Sequence, residues 1–599
     1  MSTTILLSKV RPEYVYLPII FPLSLLLSTT VSLIPLVILL STLLLYVPHL
    51  LSNKSSRFIH LLYLWLSLSL GVTIAHILPS LHALSTPITS IIVLFLLSSI
   101  TAVIALLPVF LHAQFSAHAP SSWSQLTLFP TFWVLIWYLV SQVSLLGRLL
   151  SWTPTVGLAG YKWLAQWTGP VGIDWITAAW AVIIAGVVRS LVIESSAEDA
   201  PLIEHQLPAD HTPLQPTNTH RVSIVLGTIL LALTLPSFII PGLPLPPFSS
   251  DTTPFAVGCV LPILSQPNRA PSLDDFIEES KKLISTTDLL LWPEGSVRFD
   301  GPDDRDAGLE KIGKSLIGHF VGVGFEEFDQ RDNSVRGRRR TGLAVIHSDG
   351  IRNRTNINIE LIYYKRHLVP SMSIFLIPCP KCDSPLVAES FSLSHSEDPP
   401  TVYTIDLKHP AYTTKPDWAP PPNFTRPIPI TTSICLDFAW PSAFSQLDTR
   451  PALILAPART WHTAVSLAMW EQAKARAEEI GSMVLWCDGG DGGVSGIAGR
   501  GIEEITHVGQ GSWARMIGIQ WPFDETRTVY ARAGDGMVLV LILALSSGSL
   551  AWIGLKTKVS IGYPRTRNWT IELVRTKFNE LRQTWRRPRA SQQVPSLLD

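Results

Sequence analysis

Two long stretches of the chain, residues 14–53 and 58–147, contain no Asp, Glu, Lys or Arg. A surface helix in a soluble fold keeps one polar face in water, and runs of this kind have none to offer. A membrane crossing needs roughly 20 predominantly apolar residues, and that ruler predicts about eight spans. The first two, "YVYLPIIFPLSLLLSTT" and "SLIPLVILLSTLLLYVPHL", read as a hairpin whose prolines blur the division between them. "FIHLLYLWLSLSLGVTIAHIL", "TSIIVLFLLSSITAVIALLPVFLH", "TLFPTFWVLIWYLVSQVSLLG", "WITAAWAVIIAGVVRSLVI" and "SIVLGTILLALTLPSFII" follow. The last span, at 536–555, stands far downstream. A single cleaved signal peptide does not account for so many apolar runs.

Between 251 and 535 the pattern changes to short β-rich runs separated by amphipathic stretches. Strands are predicted at 255–261, 289–293, 342–348, 358–365, 430–438, 452–458, 482–488 and 526–532. Helices are predicted over "LDDFIEESKKLIS" (273–285) and "SLAMWEQAKARAEEIG" (466–481). Strands alternating with helices indicate an α/β domain. The expected organisation is therefore a membrane domain at 1–250, an α/β domain at 251–535, a final span at 536–555 and a tail at 556–599.

Composition agrees with the pattern: 47% of the 599 residues are hydrophobic and only 15% charged, the balance of a membrane protein. The formal net charge is zero, so nothing global points to nucleic acid, and five cysteines exclude a disulfide-dense scaffold. Charge placement sets an expected orientation. Ten Lys and Arg between Lys556 and Arg589, against Glu572 and Glu580, make the tail cytoplasmic by the positive-inside tendency. Lys9, Arg11, Lys54 and Arg57 agree, and the α/β domain then lies on the extracytoplasmic side; Arg148 and Lys162 fall on the outer side and count against this. The loop at 194–221 reads as cytoplasmic and flexible, and "RGRRR" (336–340) as a solvated basic loop.

Three strand ends carry reactive side chains: Glu294 in "LLLWPEGSV", Lys365 in "IYYKRHLVP" and Cys435 in "SICLDF". Open α/β sheets hold ligands at the carboxyl ends of their strands. A thiol becomes a strong nucleophile when a carboxylate takes its proton, and an ammonium beside it steadies an oxyanion. The Leu436 N–H, next after the cysteine, is a second candidate oxyanion donor. Singly, each residue has an ordinary structural explanation: a strand-end cap, a surface charge, a buried thiol.

Together, "WPEG", "YYKRHLVP" and "ICLDF" resemble the Glu-Lys-Cys triad of the nitrilase superfamily, and "ILAPARTW", "WEQAKARAEEIG" and "GGVSGI" agree. "TVYARAGDGM" and the loop at 157–175 resemble its membrane-embedded branch, the apolipoprotein N-acyltransferases. The resemblance implies an α-β-β-α sandwich beside the spans. It also implies an acyl chain moving from a membrane phospholipid, through a Cys435 thioester, to an amine such as a lipoprotein N-terminus. A membrane-anchored amidase using the same triad is the alternative, and a non-catalytic scaffold a third reading. Departures from the branch's pattern mark substrate-handling positions: Ser373 where the branch has a glutamate, and Leu436-Asp437 where it has Tyr-Glu. Trp461 is placed at the rim of the site, and His462 there or in a structural role. No cofactor, metal or nucleic acid is expected, and a monomer is. Cys379 and Cys382 form a CxxC without zinc-type partners, and read as a local disulfide or plain thiols. Cys259 and Cys487, in apolar strands, are expected to be packing residues. Asn353 and Asn423 lie in glycosylation sequons.

Overall fold

The computed structural model describes residues 12–560, apart from 198–216, 264–268, 330–337, 370–391, 409–417 and some shorter connections. Among the described residues seven helices are long and apolar enough to cross a membrane, and a shorter apolar helix, Tyr14–Leu27, precedes them. The N-terminal hairpin resolves into two helices, Pro12–Thr29 and Ile34–Ser52. Arg57–Ala75, Pro87–Phe115, Ser122–Val143, Ala165–Ala197 and Thr217–Ala232 continue the bundle. Leu36, Leu40, Val47, Phe129, Trp133 and Ala178 are buried at its centre, while Ile92, Leu96, Ile100 and Val103 form an exposed stripe along Pro87–Phe115. A helix apolar on both its packed and its outward face suits hydrocarbon rather than water. Polar hydroxyls inside the bundle bond back to their own helix, Ser41 to the Val37 carbonyl and Thr131 to that of Thr127.

Among the described residues thirteen strands follow: β1 Thr252–Cys259, β2 Leu289–Leu291, β3 Val297–Phe299, β4 Phe320–Phe328, β5 Arg339–Ile351, β6 Arg354–Tyr364, β7 Tyr403–Lys408, β8 Thr425–Thr432, β9 Leu453–Ala458, β10 Met483–Asp488, β11 Val494–Gly499, β12 Ile502–Val508 and β13 Trp513–Gln520. One sheet runs β13-β1-β2-β4-β5-β6, with β3 also paired to β4; the other runs β12-β11-β10-β9-β8-β7. Phe255, Val257, Leu289, Leu291, Ile430, Leu453 and Leu485 fill the layer between the sheets. Helices Leu273–Leu283 and Pro302–Ser315 cover the outer face of the first sheet through Phe276, Ile277, Leu309 and Ile312. The helix Thr463–Ile480 packs on the second through Met469, Trp470, Ala473 and Ala477. This is a helix–sheet–sheet–helix sandwich. The helix ends follow the local rules: a Ser272–Asp275 capping box opens the first helix, and Gly481, at φ 72°, closes the last.

Several expectations need correction. Residues 526–532 do not form a strand: the chain is helical from Val529 to Ser560 with a kink at Gly534, and the alternating residues lead into the last apolar helix. The segment 430–438 is strand only to Thr432, after which Cys435–Ala439 turns as a 3-10 helix. Arg339 and Arg340 open β5 rather than floating in a loop. The Arg340 guanidinium donates to the buried Glu327 at 2.8 Å and lies over the Tyr364 ring. Arg148 is buried, and one of its guanidinium nitrogens donates to both oxygens of Asp174, at 2.8 and 3.0 Å, so its charge is paired within the fold. Cys259 and Cys487 are joined in a disulfide that ties β1 of one sheet to β10 of the other across 228 residues of sequence. The loop at 194–221 falls largely outside the described residues, as do Cys379, Cys382, Asn353 and Asn423.

Candidate active site

The all-buried β2 ends at Leu291, and Trp292 is pinned by an indole N–H bond to the Ser280 hydroxyl at 3.0 Å. The chain then turns through Pro293 and Glu294 to Gly295, whose φ of 63° favours glycine. Gly324 of β4 lets this turn come close, since a Cβ there would stand 2.0 Å from the Pro293 carbonyl oxygen. The Glu294 amide donates to the Ala458 carbonyl at the end of β9, so the turn bridges the two sheets. β6 is antiparallel to β5, and β5 to β4, so its carboxyl end lies on the same side as that of β2. Lys365 stands one residue past it, held by its amide to the Thr341 carbonyl at 2.9 Å. Lys365 is 1% and Glu294 5% exposed, and the Lys365 Nζ donates to Glu294 Oε1 at 2.7 Å. Side chains 71 positions apart thus form a buried charge-assisted pair.

Cys435 opens the 3-10 turn after β8 with φ +43°, in the left-handed region. For a residue with a Cβ this conformation costs on the order of 1–2 kcal/mol, and such outliers cluster at functional sites. It is the one cysteine among the described residues outside a disulfide, and it is buried. Its turn is stitched to the Lys365 segment by Asp437, whose carboxylate accepts from the backbone amides of Arg366 at 3.2 Å and His367 at 2.7 Å. Glu294, Lys365 and Cys435 therefore stand just past the carboxyl ends of β2, β6 and β8.

The remaining residues singled out in the sequence are dispersed. The Leu436 side chain is buried between the sheets, and its amide lies in the first turn of the 3-10 helix, where N–H groups lack acceptors inside the helix. Asp437 is fully buried among protein donors. The Trp461 indole donates to the Pro79 carbonyl at 3.1 Å, anchoring the end of β9 on the apolar helical part. His462 caps the helix Thr463–Ile480, its Nδ1 accepting from the Ala464 amide. Ser373 lies outside the described residues.

Three participants went unnoticed in the sequence. His367 stacks on Trp440 with ring centroids 3.8 Å apart, and its Nδ1 lies 2.9 Å from Asp437 Oδ1. Tyr363 donates its hydroxyl to Asp437 at 2.8 Å, and burial, then the adjacent carboxylate charge, push that hydroxyl well above its ordinary pKa. Gly147, in the turn after the helix Ser122–Val143, lies against the Cys435–Ala439 turn. A Cβ on it would stand 2.6 Å from the Ala439 carbonyl oxygen, and its φ is +52°. Only the motif "KRHLVP" hinted at His367. Gly147→Ala is expected to lower turnover by about 10-fold or more, because it displaces the Cys435 turn. Steady-state kinetics of the purified variant check this, and unchanged turnover in a folded variant would contradict it.

No protein-family model matches the chain. No curated protein matches it either. Solved structures do match part of the chain. Nit3 from Saccharomyces cerevisiae, a member of branch 10 of the nitrilase superfamily, is 16% identical over 45% of this chain and 90% of its own, with a TM-score of 0.30. The C. elegans NitFhit protein is 14% identical over 53% of this chain and 69% of its own, TM-score 0.30. A glutamine-dependent NAD(+) synthetase from Cytophaga hutchinsonii is 13% identical over 45% and 43%, TM-score 0.27.

Proposed function

We propose that the chain is an integral-membrane acyltransferase working through a Cys435 thioester. Glu294 takes the thiol proton as Sγ attacks the ester carbonyl of a phospholipid. The developing oxyanion is met by the Lys365 ammonium and the Leu436 N–H. When the intermediate collapses, the carbon–oxygen ester bond breaks, Glu294 returns the proton to the leaving alkoxide, and a lysophospholipid departs. An amine then attacks the thioester, Glu294 accepts its proton, and the thiolate leaves and is reprotonated. The product is an N-acyl amine, by resemblance a lipoprotein N-terminus. No cofactor is needed for this chemistry.

The observation that carries this reading is the contact of Gly147, between apolar helices, with the Cys435 turn. A hydrolase merely anchored to a membrane has no need of it, whereas an enzyme taking its acyl donor sideways from the bilayer needs the site at the junction. The outward apolar stripe on Pro87–Phe115 supports insertion. The Cys259–Cys487 disulfide supports an extracytoplasmic sandwich, since such bonds persist in oxidising compartments.

The test is to incubate the purified protein in detergent with acyl-labelled phospholipid and a lipopeptide bearing a free N-terminal amine. Transfer of label to the amine, with release of lysophospholipid, is expected. Label appearing solely as free fatty acid, or cleavage of simple amides without any acylation, would favour the hydrolase instead.

A further inference from the structure

Asp437 is fully buried. Its Oδ1 accepts from the amide of His367 at 2.7 Å, from His367 Nδ1 at 2.9 Å and from the amide of Arg366 at 3.2 Å. Its Oδ2 accepts from the Tyr363 hydroxyl at 2.8 Å and from the Ile434 amide at 3.3 Å. The donors sit at meaningful places. Tyr363 precedes Lys365 by two positions, Arg366 and His367 follow it directly, and Ile434 immediately precedes Cys435. One carboxylate thus grips the chain on both sides of the cation and at the entrance to the nucleophile turn. From this geometry we propose that Asp437 is a positioning residue: it sets the Lys365 ammonium and the Cys435 thiol in register, and it does not handle substrate.

The position demands two acceptor oxygens. Backbone N–H groups point at both, and a backbone amide cannot reverse its polarity. An asparagine in either orientation turns its NH2 against at least one of them, so the nearly isosteric change breaks the link. The elevated pKa of Tyr363 keeps its hydroxyl a donor toward the carboxylate. The bond from His367 fixes the tautomer with its proton on Nδ1, and stacking on Trp440 holds the ring in plane. Because Trp440 also touches Gly147, the same linkage reaches the turn after the helix Ser122–Val143. The proposal rests on Glu294, Lys365 and Cys435 as the reacting groups. It does not depend on whether the acceptor is an amine or water.

The experiment reads the thiol directly. The rate of Cys435 alkylation by iodoacetamide is followed against pH in detergent-solubilised wild type, Asp437→Asn and Tyr363→Phe, alongside thermal unfolding, kcat and KM. Asp437→Asn is expected to lower kcat by about 100-fold, the cost of roughly 1 Å of misplacement, with KM changed by less than about threefold. Its alkylation profile moves to higher pH as the ammonium drifts from the thiol. Tyr363→Phe, which removes one donor, shifts the profile in the same direction by less. A folded Asp437→Asn protein with the wild-type profile and kcat overturns the proposal. Should Asp437→Asn not fold, an unshifted profile in Tyr363→Phe overturns it equally. If wild-type alkylation maps to a residue other than Cys435, the underlying assignment of the reacting groups fails, an outcome distinct from either.

Discussion

Cys435→Ala is expected to abolish acyl transfer, with turnover falling by about 10³- to 10⁶-fold, the range seen when a nucleophile is deleted from a cooperating set. The effect follows from chemistry rather than folding. The Cys435 side chain is small, and an alanine inherits the same backbone position at φ +43° with the same strain. The loss of one buried sulfur costs on the order of 1 kcal/mol in packing. The variant therefore keeps its fold while losing the atom that forms the thioester. Cys435→Ser sharpens the test: the hydroxyl fits the same space, but it is a far weaker nucleophile without a base matched to it. Assay of both variants for release of lysophospholipid, with thermal unfolding as control, checks this. Near-wild-type turnover in either would place the reaction elsewhere.

Lys365→Met is expected to produce the largest loss of stability from a single change at the site, about 3–5 kcal/mol. Methionine replaces the length of the lysine but not its charge. Glu294, 5% exposed, then holds a buried carboxylate without the ammonium that contacts it at 2.7 Å. The paired change Glu294→Gln with Lys365→Met removes both charges and is expected to recover most of that stability while leaving the protein inactive. Unfolding of the two single variants and the double variant, analysed as a cycle, isolates the coupling of the pair. Single variants as stable as wild type would mean that the two charges are not buried against each other.

The apolar helices were legible because runs such as 58–147 are uncharged and long enough to span hydrocarbon, a pattern that stands out in any sequence. Strands such as β2 and β9 were legible as short apolar runs. The strand β4 was not, because Gly322 and Gly324 dilute its pattern. They are there for packing: at Gly324 a side chain would strike the Pro293 carbonyl. The places of Glu294, Lys365 and Cys435 could be read because each follows a strand with distinctive flanks. The partners of Asp437 were not legible, because two of them are backbone amides about 70 positions away, and amides leave no trace in the residue code. The Cys259–Cys487 bond was hidden for a related reason: two thiols in separate apolar strands look like packing until the sheets are stacked. Trp461 was placed at the rim of the site, but its acceptor, the Pro79 carbonyl, could not be read because it lies 382 residues earlier.

The central claim is that Glu294, Lys365 and Cys435 form an acyl-accepting site at the junction with the apolar helices. Peptide mass spectrometry after incubation with phospholipid, in the absence of any acceptor, tests it most directly. The account predicts an acyl mass on the peptide containing Cys435, removed by neutral hydroxylamine, absent in Cys435→Ala and strongly reduced in Glu294→Gln. An equally labile acyl adduct persisting in Cys435→Ala, or turnover without any adduct on Cys435, would contradict it.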